Sequence, residues 1–302
     1  MSLAQEVFKG CSTPAQFYQA MIKADRFLVP AELIEVFQDC EQVLADAPHD
    51  VYKAMRKTHK LVSLLGDEIR PYTRRMLAQH VVFFETPTTL HTASRGTHKR
   101  LLICFAGNAG RLMLPTSVLL QQLPLDGVDV VLLGDPSGLG FLRGVNGYGE
   151  DLHLCLQRLM TELPASNYAG VHCLGTSGGG AASLYAGLLV NADAALSIGG
   201  HHPTVARKRK ERAESLGISG LELDELVERH APAGKRKTRL GAMYAEHHEA
   251  DRLGAEALVE KLKACALLKV KGMEAHEVMY LLSQTGDLPR ILTQHLFGDL
   301  HD

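Results

Sequence analysis

The chain reads as an α/β protein: a mostly parallel central sheet with helices on both faces, a helical N-terminal segment and a helical cap insertion. Three observations predict this. From about residue 81 onward, short aliphatic runs alternate with helical patterns. The first 80 residues show helical spacing only, and one charged, helix-prone stretch interrupts the alternation between 201 and 237. Strands covered on both faces read as unbroken apolar runs, so such runs point to a parallel sheet.

In the first 80 residues, "ELIEVFQDCEQVL" and "YKAMRKTHKLVSLL" place apolar residues three and four apart, with Pro30, Pro48 and Pro71 as punctuation. This predicts helices packed onto the core formed by 81–302. Strands are predicted at "HVVFFE" (80–85), "LLICFAG" (101–107), "VDVVLLGD" (128–135), "VHCLG" (171–175), "AALSIGG" (194–200), "LGAMYA" (240–245) and "CALLKV" (265–270). Helical patterns lie between several of them, over 112–123, 149–163, 178–190 and 251–264.

A chain of 302 residues is long enough to bury one large core. Lys plus Arg total 32 against 34 Asp plus Glu, a net charge of -2. That balance gives no global basis for holding nucleic acid or an anionic membrane, so the expected partner is a small molecule, with self-association left open. Six cysteines, at 11, 40, 104, 155, 173 and 265, form no CxxC pair. Cys104, Cys173 and Cys265 lie in apolar runs and are expected as buried free thiols. The opening "MSLAQEVFKG" has no apolar core of a secretory signal, and no run reaches the ~18 apolar residues of a membrane span, so a soluble, cytoplasmic protein is expected.

The stretch "HCLGTSGGGAASLYAG" (172–187) carries the chemistry. Glycines between a strand and a helix suggest a nucleotide site, but a dinucleotide fingerprint belongs to the first βαβ unit, with a carboxylate after the next strand. Here at least three strands come before, and the next one ends in Gly199-Gly200-His201. A phosphate loop needs a lysine that is absent. Gly175-Thr176-Ser177-Gly178-Gly179 instead fits G-x-S-x-G, a turn so sharp that side chains two before and two after the serine would collide with the adjoining backbone. Ser177 then sits at a helix N-terminus, and the N–H of Gly178 is placed to bind an oxyanion.

A serine presented this way takes its base from a histidine after the last strand and its acid from between the two. Of the 15 histidines, His276 follows "CALLKV" by six residues, at the start of a helical pattern, whereas His295 and His301 lie too far along. The loop after "LGAMYA" offers Glu246, Glu249 and Asp251. Asp251 is favoured as a short carboxylate at a helix start, where it would also serve as an N-cap, with Glu246 as the alternative. The second oxyanion donor is expected in "CFAGNAGRLMLP", whose small residues 107–110 expose their N–H groups, from Gly107, Asn108 or Ala109. The adjacent pairs His201-His202 and His247-His248 read as pocket-edge or surface histidines, not metal ligands. The basic runs "ARKRKER" and "GKRK" in the insertion read as a solvated helix face, with recognition of an anionic substrate such as a coenzyme A thioester as the other reading.

Over roughly residues 80 to 300 these features together resemble the α/β-hydrolase superfamily. They include the loop after "LLICFAG", the "GDPSGLGF" turn, the serine elbow, the acid-bearing loop and "AHEVMYLL". The resemblance implies an α/β-hydrolase fold with Ser177 as nucleophile, His276 as base and Asp251 as acid. It implies a serine hydrolase that cleaves a carboxylic ester or thioester through an acyl-enzyme, with no cofactor and no metal. Two other classes share the scaffold: an acyltransferase using the same triad in a biosynthetic pathway, and a catalytically silent binding protein. The first 80 residues and the 201–237 insertion lie outside the resemblance.

Overall fold

A computed structural model of the chain describes residues 2–43, 49, 72–76, 88–92, 99–123, 127–145, 147–219, 222–232 and 238–298. Eight strands form one sheet: β1 (Tyr72–Met76), β2 (Thr88–Thr92), β3 (Arg100–Phe105), β4 (Val128–Leu133), β5 (Gly170–Thr176), β6 (Ala194–Ile198), β7 (Arg239–Ala245) and β8 (Cys265–Val270). Their spatial order is β1-β2-β4-β3-β5-β6-β7-β8. From β4 to β8 all pairings are parallel, while β1 and β2 join beyond β4 in antiparallel fashion.

Each strand predicted from residue 101 onward is present. β1 and β2 were not foreseen, because "YTRRM" and "TTLHT" are polar pieces at one edge of the sheet and carry no aliphatic run. The strand predicted at 80–85 and the helical pattern "YKAMRKTHKLVSLL" lie outside the described residues.

The helices in chain order are α1 (Leu3–Val7), α2 (Pro14–Phe27), α3 (Pro30–Val43), α4 (Thr116–Gln122), α5 (Leu152–Glu162), α6 (Gly180–Leu189), α7 (Arg207–Ser215), α8 (Glu222–His230), α9 (Glu249–Leu262), α10 (Val278–Thr285) and α11 (Leu288–Leu292). Side chains alternate across the strands, so β3 feeds two cores. Leu101, Ile103 and Phe105 meet α5, α6, α8 and α9 on one face. Leu102 and Cys104 meet α4, α10 and α11 on the other. Every residue of α6 is buried, as expected of a helix apolar on all sides that begins directly behind the Gly-rich turn.

The N-terminal helices have a small core of their own, including Phe8, Phe17, Met21, Leu33 and Phe37. Polar contacts tie them to the sheet domain. The buried carboxylate of Asp25 accepts from the backbone N–H of Thr116 at 2.7 Å and of Ser117 at 3.4 Å. It thereby caps α4, whose own N-cap residue Pro115 offers no side-chain acceptor. Arg111 donates to the Tyr18 hydroxyl at 2.9 Å, and the Tyr72 hydroxyl donates to the Leu28 carbonyl at 3.0 Å. Between β6 and β7 the charged insertion forms α7 and α8. Cys104, Cys155, Cys173 and Cys265 are buried free thiols. No described helix is long and apolar enough to cross a membrane.

Candidate active site

The carboxyl ends of the parallel strands converge on one edge of the sheet, where open α/β sheets place their sites. Ser177 follows β5 directly and starts a single tight helical turn, Ser177–Gly179, that runs into α6. Its φ of +48° is one that side chains rarely adopt. Both flanking glycines are required. A Cβ at Gly175 would lie 2.8 Å from Ser183 Cβ, and one at Gly179 would lie 2.6 Å from the Phe105 carbonyl carbon. Gly180 meets Gly200, its hypothetical Cβ only 2.5 Å from that Cα, so the helix packs closely behind the serine.

β3 pairs with β5, Phe105 opposite Gly175, so the loop after β3 lies against the elbow. Within that loop the N–H of Gly107 donates to the Arg111 carbonyl at 3.1 Å, and that of Gly110 to the Gly107 carbonyl at 2.8 Å. Gly107, expected as an oxyanion donor, therefore has its N–H engaged in the turn. Among the described residues, the N–H groups of Asn108 and Ala109 have no hydrogen-bond acceptor. The N–H of Gly178 lies in the first turn of its helix, where no intrahelical acceptor exists.

His276 lies after β8, two residues ahead of α10 and not at its start. Its Nδ1 is 2.8 Å and 3.0 Å from the two carboxylate oxygens of Asp251. Asp251 is 0 % exposed. It is not an N-cap: α9 begins at Glu249 with His248 as its cap, and the Nδ1 of His248 accepts from the Asp251 N–H. The other acids point elsewhere. Glu249 is exposed. Glu246 binds Lys269 Nζ at 2.8 Å and the Gly272 N–H at 2.9 Å, and these hydrogen bonds hold its carboxyl down at about 2. Gly199, with φ +59°, leaves the space the pair occupies, since a Cβ there would lie 3.1 Å from His276 Cε1 and 3.2 Å from Asp251 Oδ2. The hydrogen bond that His276 Nδ1–H donates to Asp251 raises the His276 pKa above its ordinary value, against the lowering effect of burial. With Nδ1 turned to the carboxylate, Nε2 is the nitrogen left for chemistry.

Ser177 and His276 line two cavities in common. The larger, about 1280 Å³, runs under α7 and includes Asp135, Arg209, Arg212 and Asp251. The smaller, about 510 Å³, is walled by Tyr18, Met113, Tyr280 and Leu281. Sequence reasoning missed several of these residues. Tyr18 and Gln19 reach the cavities from α2, outside the part of the chain read as the site. His201 and His248, expected at a pocket edge or the surface, do line the larger cavity; what the sequence did not show is their approach to Asp251 Oδ1, at 3.6 Å and 3.1 Å. Arg209 had a readable signal, because it lies one helical turn before Ala213, the lone apolar residue of α7.

His202, expected at a pocket edge or the surface, is 0 % exposed and lies 3.4 Å from Asp224, which also accepts from the Tyr185 hydroxyl. His248, Asp251 and His276 each offer a donor atom within 4.8 Å of the others, so a cation there would compete for the His276–Asp251 hydrogen bond.

No protein-family model and no curated protein matches the chain in sequence. Solved structures do match it in shape. EstE1, a thermophilic carboxylesterase cloned from a metagenomic library, superposes with a TM-score of 0.53 at 11 % identity, covering 80 % of this chain and 94 % of its own. The S-formylglutathione hydrolase of Staphylococcus aureus gives 0.48 at 10 % identity over 72 % and 98 %. Esterase B from Lactobacillus rhamnosis gives 0.47 at 14 % identity over 80 % and 96 %. The parallel sheet, the helices on both its faces and the likeness to EstE1 make this an α/β-hydrolase fold.

Proposed function

We propose that the chain is a serine hydrolase that cleaves a carboxylic ester or thioester through an acyl-enzyme. Ser177 Oγ attacks the acyl carbonyl and passes its proton to His276 Nε2. Asp251 holds the imidazole through Nδ1 and stabilises the imidazolium that forms. The negative charge on the carbonyl oxygen is met by the N–H of Gly178 and by one from Asn108 or Ala109. When the carbonyl reforms, the alcohol or thiol leaves with the proton from His276. Water, deprotonated by the same nitrogen, then releases the acid and restores Ser177.

One observation carries this reading: a buried carboxylate bound to His276 Nδ1, with that histidine and a positive-φ serine in the walls of the same cavities. The reaction class is also that of the carboxylesterase EstE1. A fluorophosphonate probe is expected to form an adduct on Ser177 that is absent from Ser177→Ala. If no adduct forms anywhere between about pH 6 and 9, the range in which a histidine base should act, the proposal fails.

A further inference from the structure

The basic run of α7 divides into two faces. Arg207 pairs with Glu211 at 2.9 Å and Lys210 approaches Glu214 at 3.9 Å, both in solvent. Arg209 turns the other way. It is 8 % exposed, and among the described residues neither its Nε nor its Nη1 has a hydrogen-bond acceptor. Burial lowers its pKa, opposed by the nearby charge of Asp135. No hydrogen bond or ion pair within 4.0 Å joins the two among the described residues, and the carboxylate oxygens instead accept from the N–H and hydroxyl of Ser137 and from the N–H of Phe141.

The guanidinium rests against bare backbone. A Cβ at Gly140 would lie 3.1 Å from Nη1, and one at Gly178 would lie 3.2 Å from Nη2. Gly178 is the residue after Ser177, so this unpartnered charge sits beside the candidate nucleophile. Arg212 lines the same cavity one turn further along α7. A buried guanidinium with idle donors is costly unless something supplies acceptor oxygens, and its planar fork suits a carboxylate or a phosphate.

We propose that Arg209, supported by Arg212, binds an oxyanion of the substrate, so that the ester or thioester cleaved at Ser177 carries a carboxylate or phosphate. The anion occupies the cavity under α7, and the smaller cavity beside Tyr280 and Leu281 takes an apolar portion. That the anion belongs to a substrate rests on the hydrolase reading, whereas anion binding at Arg209 does not.

Two measurements separate them. The first is thermal unfolding and calorimetric titration of the unaltered chain with inorganic phosphate, succinate and neutral succinamide. One or both anions are expected to bind and stabilise, and the amide is not. Arg209→Gln should weaken anion binding by roughly tenfold or more, with Arg209→Lys retaining part of it. The relative affinities for phosphate and succinate identify which anion the site prefers. The second is kcat/KM for p-nitrophenyl hemisuccinate relative to p-nitrophenyl butyrate. That ratio should fall by roughly tenfold or more in Arg209→Gln, whatever the absolute rates. If neither anion shifts the unfolding of the unaltered chain, or the variants leave affinity and ratio unchanged, the inference is overturned even though neutral esters are cleaved. Arg209-dependent anion binding in a chain that cleaves no ester supports the inference and sinks the hydrolase reading.

Discussion

Ser177 occupies a backbone conformation that costs a non-glycine residue on the order of 1 kcal/mol or more, so its side chain is kept against the preference of the fold. Ser177→Gly and Ser177→Ala should both abolish hydrolysis. In urea unfolding the glycine variant should be the more stable of the two by about 1 kcal/mol, and the reverse order would show that the turn is not strained. His276 must be neutral to accept a proton. Since Asp251 raises its pKa, kcat/KM should climb with pH through a midpoint above the usual histidine value of about 6.5. Asp251→Asn removes the charge that favours imidazolium. The limb should move to lower pH and the rate should drop by roughly a thousandfold or more. An unmoved limb would mean that another group is the base. Ser177 and His276 could be singled out because each lies at a fixed place relative to a recognisable strand, and the folded chain lines the same two cavities with both. The engagement of the Gly107 N–H was not, because its acceptor at Arg111 is set by the closure of the loop.

At the scale of elements, the strands with continuous aliphatic runs were readable, whereas the edge strand β1 and its neighbour β2 were not, since "YTRRM" and "TTLHT" pair through backbone hydrogen bonds and carry no aliphatic run. The start of α9 was misread for a related reason. An aspartate in a first turn looks like a cap from its type alone, yet here His248 holds that place and frees the Asp251 carboxylate to face His276. A cap borrowed from elsewhere is equally hidden: α4 relies on Asp25, some ninety residues earlier in the chain. Asp25→Ala leaves the Thr116 and Ser117 donors without that acceptor inside the protein. It should lower the urea-unfolding free energy by about 1–3 kcal/mol, and a loss well below this would mean that water takes over the role.

For the molecule as a whole, burial lowers the pKa of His153, His172, His201, His202 and His295, with His172 reaching about 4. A histidine whose folded pKa lies below its unfolded one takes up its proton more readily in the unfolded chain, so stability falls as pH drops through the interval between the two values. His276 has the opposite sign: its contribution is present below about 6.5 and is lost as pH rises through its raised folded value. The large lowering at His172 sets the sign of the sum. Stability measured by urea unfolding should therefore decline between about pH 6.5 and 4, with His172 alone contributing roughly 3 kcal/mol to the loss at the acid end. His172→Phe should flatten the decline, and a slope unchanged in that variant would place the acid sensitivity in other groups.

Consecutive residues of α2 face different rooms: Tyr18 stands in the smaller, more apolar cavity and Gln19 in the larger, basic one. Their helix is moored by Asp25 to α4 and by Tyr18 itself to Arg111. Under the proposed function, a change that loosens that mooring should alter both cavities at once, because one helix lines both. If the hydrolase and anion-binding proposals hold, preference for acyl length and preference for charge are yoked through a helix that contributes neither nucleophile nor base, and random changes near Asp25 should surface in a selection for new substrates as shifts in both preferences together.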